Sequence, residues 1–260
     1  MREQSKADIV RSVLERTRLF SGCDEEALQG LLQVSETRMF EDGEAAAAYG
    51  DPASKTDGVW VIGSGCLETS RTWANGKRIV YSFLQAGQVT GLMPILDGLP
   101  VALDVTARGP TMIVHVPRAA FIETLKRHPL FALSVLEMMS RRNRIDYDRL
   151  ESQTLNSSRV FVAKTLLYLG RAGVPTGISL DVPVKVSQED VAGIVGVTRQ
   201  QINKEIAWFI REGILERHYR GVVIADTAKL LAVINSEEPL NEFLHQLLSP
   251  GPSDYYRTSD

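Results

Sequence analysis

Residues 187–209 read Ser-Gln-Glu-Asp-Val-Ala-Gly-Ile-Val-Gly-Val-Thr-Arg-Gln-Gln-Ile-Asn-Lys-Glu-Ile-Ala-Trp-Phe. This order of residue types predicts two capped helices joined by a tight turn. Ser187 is placed to cap the first helix, with Asp190 three residues on to complete a capping box, and Thr198 with Gln201 repeats the arrangement for the second. Gly196 falls at the turn, where glycine adopts positive φ at little cost. Val191, Ile194 and Val197 then face Ile202, Ile206 and Phe209, the inward sides of a helix-turn-helix.

The second helix, expected over residues 199–211, presents Arg199, Gln200, Asn203 and Lys204 outward. Arginine reads guanine O6 and N7 with two hydrogen bonds, and Gln or Asn does the same for adenine. In such a unit the first turn of the second helix meets the base edges. Ser187, Gln188 and Thr198 complete the candidate DNA-binding set on this unit. A solvated helical hairpin is the plainer alternative; two capping boxes, a glycine turn and four base-reading residue types on one surface favour double-stranded DNA. Gly213 ends the helix in the C′ position, and residues 212–224 continue as a short hairpin with Arg220-Gly221 at its expected tip. That hairpin reads as a wing, with Arg217, His218 and Arg220 as candidate phosphate contacts.

The chain has 260 residues, enough for two domains that each bury a core. Its net charge of −3 is unevenly spread: residues 157–234 hold ten Lys and Arg against seven Asp and Glu. The positive excess therefore lies with the motif, as phosphate neutralisation requires. It is modest, so tight binding is expected to need a second copy of the site, brought by dimerisation. Only Cys23 and Cys66 occur, without the density of a disulfide scaffold or the spacing of a zinc site. A cubane iron–sulfur cluster takes four thiolates, so reduced thiols in a cytoplasmic protein without metal or cofactor are expected. There is no apolar signal core and no stretch of membrane-spanning length. A nucleophile elbow, a phosphate loop and an HExxH pattern are all missing, and His115, His128, His218 and His245 are scattered. An enzyme is not expected.

Upstream, residues 5–16 read as a short helix, and Asp24 caps another running to about Val34. From 37 to 116 the pattern switches to short alternating runs punctuated by glycine. The clearest piece is 66–83, where Asn75-Gly76 predicts a two-residue hairpin turn. Further strands are expected over 59–62, 101–106 and 111–116, which together suggest a barrel or roll. Helical character resumes over 117–125, and Pro129 opens a long helix to about Leu155, roughly 38 Å in length. Leu133, Leu136, Ser140, Asn143, Tyr147, Leu150 and Thr154 follow alternating steps of three and four, the seam of a coiled coil with one Asn. The plainer alternative is a core helix packed on its own roll. Asn156-Ser157-Ser158 breaks the pattern and caps a helix over 159–170, so the hinge is expected at residues 155–157.

The expected fold is α+β, with four parts: a β-roll effector-type domain over 1–128, a dimerisation helix and hinge over 129–156, a winged helix-turn-helix over 157–235, and a C-terminal helix with a flexible tail over 236–260.

This order resembles the Crp/Fnr family of bacterial transcription regulators over about residues 17–235. The most specific stretches are 188–204, Leu84-Gln85-Ala86-Gly87-Gln88 and Leu19-Phe20-Ser21-Gly22. The resemblance implies a homodimer joined through the long helices, reading a near-palindromic promoter site in successive major grooves about 34–36 Å apart. It also implies RNA polymerase as a protein partner and a roll of the cyclic-nucleotide-binding type. The residues argue against cAMP. Where the family's nucleotide binders carry Gly-Glu-Leu, this chain has Gly91-Leu92-Met93; where they carry Arg-Ser or Arg-Thr for the cyclic phosphate, it has Val101-Ala102. A buried phosphate without a cation or hydroxyl donor is strongly disfavoured. The oxygen-sensing members' cysteine cluster is missing too, and a haem would have to draw on Cys66 or His115, both better read as packing residues.

Two readings of the roll follow. It holds a small, less polar effector in a cavity lined by Leu92, Met93, Val101, Ala102, Leu103 and Tyr147, and re-aims the recognition helices through the hinge by population shift. Or it is a vestigial roll on an effector-independent DNA binder. A further alternative is a small-molecule sensor whose winged domain contacts protein. At the DNA end, family members that read TGTGA or TTGAT half-sites carry Arg-Glu, with Arg four residues after the Glu. Here Arg199, Gln200 and Lys204 stand at those positions, so a related but different half-site is expected.

Overall fold

The computed structural model describes residues 6–76, 78–171, 188–218 and 221–237. The first part opens with α1 (Lys6–Arg16), a 3₁₀ turn (Arg18–Gly22) and α2 (Glu25–Val34). Then come β1 (Glu36–Phe40), β2 (Ala45–Ala47), the single turn α3 (Ala53–Thr56), β3 (Gly58–Ser64), β4 (Cys66–Thr72), β5 (Arg78–Gln85), β6 (Val89–Thr90), α4 (Leu92–Asp97), β7 (Asp104–Ala107) and β8 (Thr111–Pro117). It ends in α5 (Arg118–Arg127) and α6 (Pro129–Leu155). The second part contains α7 (Ser158–Arg171), α8 (Gln188–Val195), α9 (Arg199–Arg211), β9 (Leu215–His218), β10 (Gly221–Ile224) and α10 (Thr227–Asn235). The α+β roll, long helix and C-terminal helix-turn-helix expected from the sequence are all present.

Two four-stranded antiparallel sheets, ordered β1-β8-β3-β6 and β2-β7-β4-β5, form the roll. Side chains alternate across a strand, and β3 is buried on both faces for that reason. Trp60 and Ile62 point into the roll and pack with Leu67, Leu84, Val105 and Ile113. Val59 and Val61 point the other way, onto a layer built from Leu14, Leu31, Phe121 and Phe131 of the surrounding helices. Phe131 is stacked with Phe20 at 5.6 Å and edge-on to Phe121 at 5.4 Å, which seats the start of α6 on the roll. Asp24 caps α2 as expected, accepting from the Ala27 N–H at 2.8 Å.

Two local expectations are corrected. Asn75-Gly76 is not a two-residue turn: Thr72 pairs with Arg78, and the chain closes through a Gly76 N–H to Trp73 C=O bond of 2.9 Å with Gly76 at φ 78°. Trp73 lies just beyond the ladder, and its ring, with that of Tyr49, flanks the Arg71 guanidinium. The strand expected from residue 101 starts at Asp104, because Val101 spends its own N–H and C=O on Asp51 and Gly50, each at 2.8 Å.

His115 on β8 is almost fully buried, with Arg38 Nη2 3.2 Å and Glu36 Oε1 3.7 Å from its Nδ1. Burial first and Arg38 second hold its pKa below the usual histidine value. Below about pH 6.5 the unfolded chain therefore binds a proton that the folded chain refuses, and stability falls as pH drops. The thermal midpoint should decline between pH 7 and 5.5, and His115→Gln should flatten that slope; an unchanged slope would refute the assignment. Asp24, Glu25, Glu36 and Asp51, whose carboxyls are held below their usual values, titrate at lower pH and do not confound that window.

The chain divides into two compact units within α6, Met1–Arg141 and Arg142–Asp260. Helix α6 does end at Leu155 as expected, and α7 starts at Ser158. The division falls earlier because the last turns of α6 are bound into the second unit. Asp148 accepts from Lys164 Nζ at 3.0 Å and from Tyr168 Oη at 2.7 Å, with both Asp148 and Lys164 buried. Burial and the facing Asp148 carboxylate raise the Tyr168 pKa, so the phenol stays protonated and donates.

Candidate nucleic-acid interface

A helix-turn-helix works as a reader only if its second helix starts cleanly, since the first four N–H groups of any helix lack partners. Here Thr198 supplies the cap: its Oγ1 accepts from the Gln201 N–H at 3.3 Å, and Gln201 Oε1 accepts from the Thr198 N–H at 3.0 Å. The expected capping box is present and sets the first turn at Arg199. Gly196 adopts φ 74° in the turn, and its N–H closes on Ala192 C=O at 2.9 Å. Ile202, Ile206 and Phe209 form the buried stripe of α9, and Val191, Ile194 and Val195 are buried on α8, the helix it packs against. Val195 takes the buried place expected for Val197, which is half-buried.

On the opposite side Arg199, Gln200, Asn203 and Lys204 are all exposed, as is Thr198. Helix α9 ends at Arg211, Gly213 follows at φ 67°, and its N–H bonds Ile210 C=O at 3.0 Å. The wing is a two-stranded ladder pairing Leu215 with Ile224 and His218 with Gly221. Gly221 thus belongs to the ladder rather than the tip. Arg217 is exposed on β9. Ser187, Arg220 and the side chains of Gln188, Asp190 and His218 lie outside the described residues.

Contacts between distant segments brace this surface, and none of them has a signature in the local spacing of residues. Arg159, in the first turn of α7, donates from Nε to Glu205 Oε2 at 2.8 Å and lies 4.0 Å over the Trp208 ring. Glu237 Oε2 accepts from the Ser157 N–H at 2.8 Å, and its bonds to Ser157 hold that carboxyl below its usual pKa. A carboxylate at a helix start is favourably placed against the helix dipole.

The other candidates sit apart. Of the effector-pocket set, Leu92 belongs to the layer between roll and helices, whereas Val101 belongs to the roll interior. Met93 is exposed, Ala102 and Leu103 are half-buried, and Tyr147 is exposed on α6. The seam residues Leu133, Leu136, Ser140, Asn143, Tyr147 and Leu150 are all exposed in the single chain, Leu136 and Leu150 each to 62%. Neither Cys23 nor Cys66 is in a disulfide, and burial pushes the Cys23 pKa up to about 12. Among the described residues no group of His, Cys, Asp and Glu could hold a metal ion, and no helix is long and apolar enough to cross a membrane.

Comparison with known proteins adds family identity to this geometry. Residues 37–128 match the cyclic nucleotide-binding domain, and residues 162–233 the Crp-like helix-turn-helix domain. The chain is 26% identical over 219 residues to the CRP-like cAMP-activated global transcriptional regulator of Mycobacterium tuberculosis, covering 84% of this chain and 96% of that protein. It is 27% identical over 209 residues to that organism's HTH-type transcriptional regulator Cmr, covering 80% and 79% respectively. Among solved structures, FixK2 from Bradyrhizobium japonicum has the same fold, with a TM-score of 0.66 at 19% identity, over 77% of this chain and 97% of that one.

Proposed function

The chain belongs to the Crp/Fnr family of DNA-binding transcription regulators and is not an enzyme, and on that footing we propose that it works as a homodimer whose two α9 helices read a near-palindromic promoter site. The observation that carries this reading is the capped first turn of α9, with Arg199, Gln200, Asn203 and Lys204 exposed together on one side. Arg199 reads a guanine, Gln200 and Asn203 suit adenine, and Lys204 is a point charge with looser base preference. Arg217, with His218 and Arg220, serves the phosphates. Dimerisation runs along the exposed seam of α6, and RNA polymerase is the partner that the regulator recruits or excludes.

The relative from Mycobacterium tuberculosis is cAMP-activated by its description; for this chain we infer a roll that does not take cAMP. Val101 occupies the place expected of a phosphate-binding arginine, and it is buried in the apolar roll interior with both backbone groups bonded to residues 50 and 51. That closure favours a second reading of the sensor, an effector-independent regulator, over one gated by a less polar effector.

Selection from a random DNA pool with purified protein tests both parts. Two inverted half-sites should emerge without added effector if the second reading holds, and only with one if it does not. Arg199→Ala should then weaken binding to the selected site about tenfold or more per half-site, the size of one lost bidentate base contact. Unchanged binding by that variant would sink the DNA-reading assignment.

A further inference from the structure

Glu205 is the one acidic residue in α9, one position after Lys204 and two after Asn203. On a helical wheel Glu205 and Trp208 flank the buried stripe, between it and the side carrying Arg199 to Lys204. Left alone, a carboxylate there would repel the phosphates that the neighbouring cations attract. It is not left alone. Arg159 reaches across from α7, donates to Glu205 at 2.8 Å and lays its guanidinium 4.0 Å over the Trp208 ring. Trp208 in turn stands edge-on to the fully buried Phe209 at 5.2 Å and 79°.

We propose that Arg159 is a positioning residue for DNA specificity: it fixes the rotation of α9 about its own axis, and so the aim of the base-reading side chains, without touching DNA. The proposal rests on the reading of α9 as the recognition helix. One planar side chain holds two points a turn apart on α9, a carboxylate and a ring, because a guanidinium donates in its plane while stacking on its face, as a lysine ammonium cannot. Two points on one flank resist rotation where a single contact would not. The stake is geometric: a 20° turn of a helix about 6 Å in radius moves a side-chain tip by about 2 Å, enough to break a bidentate base contact. Phosphate contacts tolerate such a shift far better, being less directional.

The test compares full-length wild type with Arg159→Ala, Arg159→Lys and the double variant Arg159→Ala with Glu205→Gln. Affinities are measured for the selected site, a one-base mismatch and a random duplex. Arg159→Ala should lose about tenfold on the selected site and less than about threefold on the random duplex. Arg159→Lys, which keeps the charge but not the plane, should fall between and serves if the alanine variant folds poorly. The Trp208 indole NMR signal, assigned with Trp208→Phe, should shift in both. Discrimination should stay low in the double variant; its recovery there would mean that Arg159 acts only by neutralising Glu205 and would overturn the proposal. Equal losses on both DNAs, or none, would overturn it as well. Failure of the wild type to prefer any sequence would instead remove the DNA reading on which the proposal stands.

Discussion

Replacing Leu136 and Leu150 together by glutamate is expected to leave a folded 28.8 kDa monomer that has lost most of its affinity for the full DNA site. Both residues are 62% exposed in the single chain, so the monomer's own packing depends little on them. Along α6 they share a face with Leu133, Ser140, Asn143 and Tyr147, at the spacing by which two helices interlock. Glutamates on that face would meet their own copies, and like charges facing each other across a dry seam are costly. A dimer holds its second recognition helix at a high effective concentration over the second half-site. Removing that linkage should weaken binding by about 10²- to 10⁴-fold while leaving far-UV circular dichroism unchanged. Sedimentation and a titration on the selected site read both effects. A variant that stays dimeric would show that α6 is not the seam.

The second large effect is that of salt. The segment carrying the reader has ten basic residues against seven acidic ones over 157–234, and a dimer presents it twice. If the two copies neutralise about eight to ten phosphates, raising salt from 50 to 200 mM should lower affinity by roughly 10³- to 10⁵-fold, with a steep linear slope on a log–log plot. Arg217→Ala should make that slope shallower by about two contacts per dimer while preserving the selected sequence, since a phosphate contact carries no base information. A flat salt response would contradict the phosphate-contact scheme, whatever sequence is selected.

How far the sequence foretold this structure depends on the range of each interaction. The start of α9 at Arg199 and its end at Arg211 were readable because Thr198, Gln201 and Gly213 act on neighbours in the chain. The same holds for Asp24 and for α6, opened by Pro129. Val101 illustrates the limit: its β-branched side chain suits a strand, but a loop fifty residues earlier takes its hydrogen bonds. Nor could spacing reveal Asp148 with Lys164, or Arg159 with Glu205 and Trp208. Each of those residues is an unremarkable member of a helix until the helices cross. The candidate reading surface was therefore legible, while the braces that hold it were not.

The Asp148–Lys164–Tyr168 contact bears on how this regulator could be cut and rejoined. Residues 155–157 look like the natural place to exchange one DNA-binding domain for another. A chimera spliced there would keep Lys164 and Tyr168 and replace Asp148 with whatever the donor helix offers, leaving a buried ammonium to face a stranger. Breaking a buried pair in this way costs about 3–5 kcal/mol, a large part of a domain's stability. A transplantable reader begins ahead of Asp148, so the last turns of the long helix travel with the DNA-binding cargo.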